Sequence, residues 1–129
     1  MVGTVNKPML VLIAGPYRSG TDGDPDRIAA NLRRLESAAW PIHHKGHIPM
    51  IGEWVALPVL RGAADQPAPA EAPEGDVMYD VAGRLLQHCD AVLRLSGESH
   101  GADRDVEIAE ARGLPIYYDA ADIPDYVQR

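Results

Sequence analysis

Pro8-Met9-Leu10-Val11-Leu12-Ile13-Ala14-Gly15-Pro16 sets the frame for the rest of the chain. Met9 to Ala14 is a continuous apolar run bounded by Pro8 and by Gly15-Pro16, and it reads as a strand buried on both faces of a parallel sheet. The loop that follows, Gly15-Pro16-Tyr17-Arg18-Ser19-Gly20-Thr21, carries two glycines, an arginine and two hydroxyls, and leads through Asp24-Pro25 into a helix. Asp24 is a good N-cap and Pro25 suits the first helical position. Ile28, Leu32, Leu35 and Ala39 then recur at three- and four-residue steps to form one apolar face. The loop contains neither the dinucleotide fingerprint GxGxxG nor the phosphate-binding GxxxxGK[ST], so it points to neither kind of site. A plain strand-to-helix connection is the competing reading of this loop.

Near the other end, Ser99-His100-Gly101-Ala102-Asp103-Arg104-Asp105-Val106-Glu107-Ile108-Ala109-Glu110-Ala111-Arg112-Gly113 is a short helix behind a turn-prone entry. Gly101 at its mouth admits close backbone approach by a ligand, and carboxylates follow within two turns, where the helix dipole favours their ionised form. An ionised carboxylate beside a glycine-lined gap is a candidate nucleophile. Ligands of open α/β sheets bind at the carboxyl ends of strands, so the Gly15–Thr21 loop and the Ser99–Asp105 turn are expected to open on the same side. The bland alternative is an acidic first turn that complements the dipole and faces solvent.

Taken together, Ala14-Gly15-Pro16-Tyr17, Gly46-His47-Ile48-Pro49, Cys89-Asp90-Ala91-Val92 and Gly101-Ala102-x-x-Asp105-x-x-x-Ala109-x-x-x-Gly113-Leu114-Pro115 resemble, in order and spacing over nearly the whole chain, the nucleoside 2-deoxyribosyltransferase family and its uncharacterised relatives. In that family a glutamate four residues after the glycine attacks the anomeric carbon of a nucleoside. Here that position is Asp105, with Glu107 two residues on. The resemblance implies Asp105 as nucleophile, Tyr17 orienting it, Arg18 and Ser19 near a phosphate or sugar hydroxyl, and sites completed across subunits of a homodimer or larger homo-oligomer. Gly15, Pro16, Asp90, Ser99, Gly101 and Glu107 complete the substrate-binding candidates drawn from these motifs. Breaking an N-glycosidic bond builds oxocarbenium-like charge that a carboxylate stabilises or traps, as in retaining glycosidases. Aspartate is one methylene shorter than glutamate, and a displacement of ~1 Å costs about 100-fold in rate. Glu107 is not a simple substitute, because residues two apart on a helix point about 200° apart.

Between these ends the chain alternates. The first helix is expected to end near Pro41, and His47-Ile48-Pro49-Met50-Ile51 to be a short strand whose proline marks an end or an edge. Glu53 and Trp54 follow directly. Trp54 is suited to stacking on a base and Glu53 to accepting hydrogen bonds from base or ribose, against a plain reading of core tryptophan and helix-start acid. The segment 62–75, with Pro67, Pro69 and Pro73, reads as a mobile loop, either a lid or a disordered excursion. A helix from about Asp76 to Gln87, a strand Asp90–Leu95 and a closing strand Ile116–Tyr118 follow, then a tail helix or turn over Ile123–Val127. Arg94 interrupts its strand, which therefore lies near an edge or sends its arginine out at the carboxyl end. The pattern βαβαβαβ gives one α/β domain over residues 1–129, a doubly wound, flavodoxin- or Rossmann-like parallel sheet of four to five strands.

With 129 residues, 46% of them hydrophobic, the chain suffices for one sizeable core. Its net charge of −7 argues against a nucleic-acid polymer as partner, yet a small anionic substrate needs only an arginine and a few amides. Cys89, the single cysteine, is expected to be a small buried hydrophobe. No apolar run approaches the ~20 residues of a membrane span, and the first residues lack a secretory pattern, so a cytoplasmic location is expected. His43, His44 and His47 surround Gly46 and do not make a helical ligand pair, so no metal and no cofactor are expected. The leading expectation is an N-glycosidase, hydrolase or deoxyribosyltransferase, acting on a nucleoside or nucleotide. The alternatives are a catalytically inactive nucleotide-binding or sensing module, which the aspartate favours, and an α/β protein with an incidental cleft whose surface serves assembly.

Overall fold

The computed structural model describes residues 3–66 and 74–127. Its centre is a four-stranded, wholly parallel sheet in the order β3-β2-β4-β5, formed by β2 (Leu10–Ala14), β3 (Ile48–Ile51), β4 (Ala91–Arg94) and β5 (Ile116–Tyr117). Strand β2 lies between β3 and β4, with Leu12 paired to both Met50 and Val92. Helices α1 (Pro25–Ser37), α2 (Ala39–His44), α3 (Gly52–Ala64), α4 (Glu74–Leu86) and α5 (His100–Ala111) make the crossovers. The expected α/β, doubly wound parallel fold is the observed one.

Alternation along β2 divides the core. Val11 and Ile13 face one side, packing with Leu35, Ala38, Ile42 and Ile51. Leu12 and Ala14 face the other, with Leu86, Cys89, Ala102 and Ala109. Because successive strand residues point to opposite faces, a strand clad on both sides must be apolar throughout, as Met9–Ala14 is. Helix α1 starts as its sequence dictates: the Asp24 side chain accepts from the Asp26 amide at 2.9 Å, with Pro25 in the first turn. Cys89 is buried among apolar neighbours, which with the nearby Asp90 charge pushes its thiol up to about 11.

Several boundaries depart from the expectations. The first helix breaks at Ala38 and a second begins at Ala39, so Pro41 sits in the opening turn of α2, where its missing N–H has no intrahelical partner to lose. Strand β3 is the sheet edge, as its proline suggested, whereas β4 is interior. Arg94 therefore takes the second of its two expected placements, reaching out at the carboxyl end. The segment 62–75 is not all loop: α3 runs to Ala64 and α4 begins at Glu74, while 67–73 lies outside the described residues. The tail holds a 3-10 turn (Ala120–Asp122), and Asp125–Tyr126 is a strand, β6, paired in parallel with β1 (Thr4–Val5).

That second, two-stranded sheet is anchored by a buried histidine. His47 Nδ1 accepts from the Met9 amide at 2.9 Å, and its Nε2 lies 2.6 Å from the Pro124 carbonyl, which fixes the Nε2–H tautomer. Lys45 Nζ donates to the carbonyls of Ala121 (3.0 Å) and Ile123 (2.6 Å).

Candidate functional site

From β2 the chain winds outward to β3, then crosses back over β2 to β4. The crossovers leaving β2 and β4 thus part in opposite directions, and a crevice opens at their carboxyl ends. A cavity of about 190 Å³ lies there, bounded by Gly15, Tyr17, Arg18, Glu53, Ser99, Gly101 and Asp105, with Met78, Tyr79 and Ala82 of α4 forming one wall. The first loop and the entry to α5 open on the same side, as expected from the carboxyl-end rule.

The first loop is held from behind. Asn31 on α1 donates to the Tyr17 carbonyl at 2.8 Å, and the buried Thr21 hydroxyl donates to the Arg18 carbonyl at 2.5 Å. Tyr17 packs against the core below. Gly15 is required by packing: a Cβ there would stand 3.0 Å from Leu35 Cδ2 and 3.1 Å from Leu95 Cβ. Gly97, at φ +119°, lets Pro16 sit where a Cβ would come within 2.8 Å.

Helix α5 is capped by Ser99, whose buried hydroxyl accepts from the Ala102 amide at 3.1 Å. One turn later Asp105 turns into the cavity. Burial, reinforced by the charge of Glu53, pushes its carboxyl up to about 7, although Arg104 and Arg94 pull the other way. Neither arginine salt-bridges it. Arg94 ties down the loop beyond β4, donating to Leu95 O, Gly97 O (3.0 Å) and Asp103 Oδ1 (2.9 Å), and Arg104 lies over the Tyr79 ring, 4.7 Å from its centroid.

Glu53 enters from the opposite wall, on the first turn of α3 immediately after β3. Burial raises its carboxyl above the usual range, only partly offset by a hydrogen bond from its own backbone amide. Two carboxyl groups therefore share one poorly solvated cavity, and both hold their protons more tightly than solvated carboxyls do. Such a pair suits acid–base or nucleophilic work.

Of the other sequence candidates, Ser99 and Gly101 line the cavity, Ser99 chiefly as the helix cap. Pro16 and Ser19 border a neighbouring groove with Asn31, Arg34 and His100. Three candidates lie elsewhere. Asp90 sits at the amino end of β4, its carboxylate accepting from the Leu10 amide at 2.9 Å while its own amide donates back to the Leu10 carbonyl, so it locks two strands at the end away from the cavity. Trp54, 39% exposed, donates its indole N–H to Glu36 at 3.1 Å and braces α3 against α1. Glu107 lies on the other side of α5, in a groove with Arg94, Glu110 and Tyr118, as the angle between residues two apart requires.

The α4 wall had no signal in the local sequence beyond Met78 and Ala82 at a four-residue step, a spacing that equally describes a core face. Among the described residues there is no cluster of three metal-ligating side chains, and no helix is long and apolar enough to cross a membrane. Compared with known proteins, the sequence matches no family model and no curated protein.

Proposed function

We propose that this chain cleaves, or transfers at, the N-glycosidic bond of a nucleoside or nucleotide, with the Asp105 carboxylate attacking the anomeric carbon. The observation that carries the reading is the convergence of Asp105, Glu53, Tyr17 and Arg18 on one cavity at the switch point of the sheet. A cavity of about 190 Å³ is smaller than the roughly 300–1,000 Å³ that encloses a drug-sized ligand, and it suits a sugar ring whose base or phosphate extends through the mouth. The apolar floor of Leu12, Ile13 and Ala14 keeps water scarce around the carboxylate. There, a fixed negative charge stabilises a developing oxocarbenium ion more strongly than it would in bulk water. In this reading Tyr17 orients Asp105, and Arg18 meets a phosphate or sugar hydroxyl on the side where Ser19 borders the adjoining groove.

The test is time-resolved chromatography of products from a panel of nucleosides and nucleoside monophosphates, with and without a second free base. Release of base, or formation of the exchanged nucleoside, is the expected result, and Asp105→Asn abolishes either. Saturable binding without turnover across the panel selects the sensing module instead.

A further inference from the structure

We propose that Glu53 is the acid–base partner of Asp105, giving its proton to the departing base and recovering one from the incoming water or acceptor base. This rests on the reading of Asp105 as nucleophile and extends it to a residue on a different element.

The placement is specific. Asp105 projects from the second turn of α5, and Glu53 from the first turn of α3, across the same cavity. The two helices follow different strands, so the carboxyl groups approach a bound ligand from separate walls. That is the arrangement in which one group reaches the anomeric carbon while the other reaches the leaving nitrogen. The two arginines whose charge lowers Asp105 are engaged elsewhere: Arg94 is committed to the loop after β4 and Arg104 to the Tyr79 ring. Burial raises both carboxyls and the Glu53 charge raises Asp105 further, so the pair holds a proton more tightly than two solvated carboxyls do. The reactive form has that proton on Glu53.

The steps balance without a cofactor. An Asp105 oxygen bonds to the anomeric carbon as the carbon–nitrogen bond breaks. Its electron pair goes to the base nitrogen, which takes the Glu53 proton. Water then attacks the same carbon and gives its proton to the Glu53 carboxylate, while the ester bond breaks and its electrons return to Asp105. A second base whose N–H replaces water gives transfer.

A leaving group that needs no proton separates this role from a structural one. Glu53→Gln keeps the side-chain shape and is first checked for an unchanged melting curve. It is then assayed on the best purine nucleoside or monophosphate and on its N7-methylated form, whose base departs neutral. Loss of about 10²–10⁴-fold on the unmethylated substrate, the usual worth of general acid catalysis, with less than about 10-fold on the methylated one, is expected. Equal losses on both, or none on either, overturn the assignment while leaving Asp105 as nucleophile. Absence of turnover by the unaltered protein overturns the glycosidic reading and this inference with it. Independently of activity, 13C NMR titration of the Asp105 carboxyl in Glu53→Gln is expected to move its midpoint to lower pH, and an unmoved midpoint contradicts the pairing.

Discussion

At Asp105 the ionised form that the proposed chemistry uses is the form the fold disfavours. Its carboxyl titrates near 3.8 when solvated and about 7 in the folded chain, so the fold holds the proton more tightly than the unfolded state does. Below about pH 4 both states are protonated and there is no cost. Between pH 4 and 7 stability falls, and above 7 the full penalty applies. Asp105→Asn therefore raises stability at pH 8 by about 1–2 kcal/mol, a figure discounted for the side chain's partial exposure, and changes it little at pH 4. Thermal melts at the two pH values check this. In the proposed mechanism the pair must keep one proton, so kcat/KM is expected to fall as pH rises above about 7, where the Asp105 titration removes that proton. Two glycines on the cavity rim separate in the same way. Gly15→Ala forces a Cβ against Leu35 and Leu95 and costs about 1–3 kcal/mol, whereas a Cβ at Gly101 meets Tyr79 Cε1 at an ordinary 3.6 Å. Gly101→Ala is thus expected to melt normally and to lose ligand affinity, as judged by calorimetry beside its melting curve.

At the scale of elements, His47 links the approach to β3, the start of β2 and the tail. His47→Ala leaves the Met9 amide without its acceptor and opens a hole beneath the tail, at a cost of about 2–4 kcal/mol. Urea unfolding measures that cost, and faster amide exchange at Tyr126 and Val127, whose amides donate to Lys45 and Val5, locates it. What was legible in the sequence follows from which elements are locally determined. Strand β2 announced itself because a strand clad on both faces has no polar positions, and α1 because Asp24-Pro25 caps and starts it. The tail strand did not, since Asp125–Tyr126 owes its conformation to Thr4–Val5 and Lys45, remote in sequence. Helix α3 was obscured by Gly52 at its start and Pro58 within it. Asp105 and Glu107 were separable in advance because helical geometry alone sends them apart. The place of Asp90 is not legible, because a carboxylate at a strand end looks the same in sequence whether that end faces the crevice or, as here, lies opposite it.

At the scale of the molecule, the two ends of the sheet have different work. The amino ends are closed by mutual strand contacts at Asp90 and by the His47 anchor, while the carboxyl ends of β2 and β4 carry the cavity. A bound nucleoside or monophosphate is accordingly expected to slow amide exchange in 15–18 and 99–105 and to leave 47–49 and 123–127 unchanged. Protection centred on the latter segments places the ligand at the wrong end of the sheet. The central claim, covalent participation of Asp105, is tested most directly by acid-quenching the protein during turnover of a 2-fluoro-substituted nucleoside, which slows breakdown of a glycosyl ester. Tryptic mapping then locates the adduct. Cleavage after Arg104 and Arg112 releases Asp105–Arg112 as one peptide, and fragmentation separates Asp105 from Glu107 and Glu110. A glycosyl adduct on Asp105 is expected; an adduct on Glu107 or Glu110, or steady base release with Asp105 unmodified, removes Asp105 as the nucleophile.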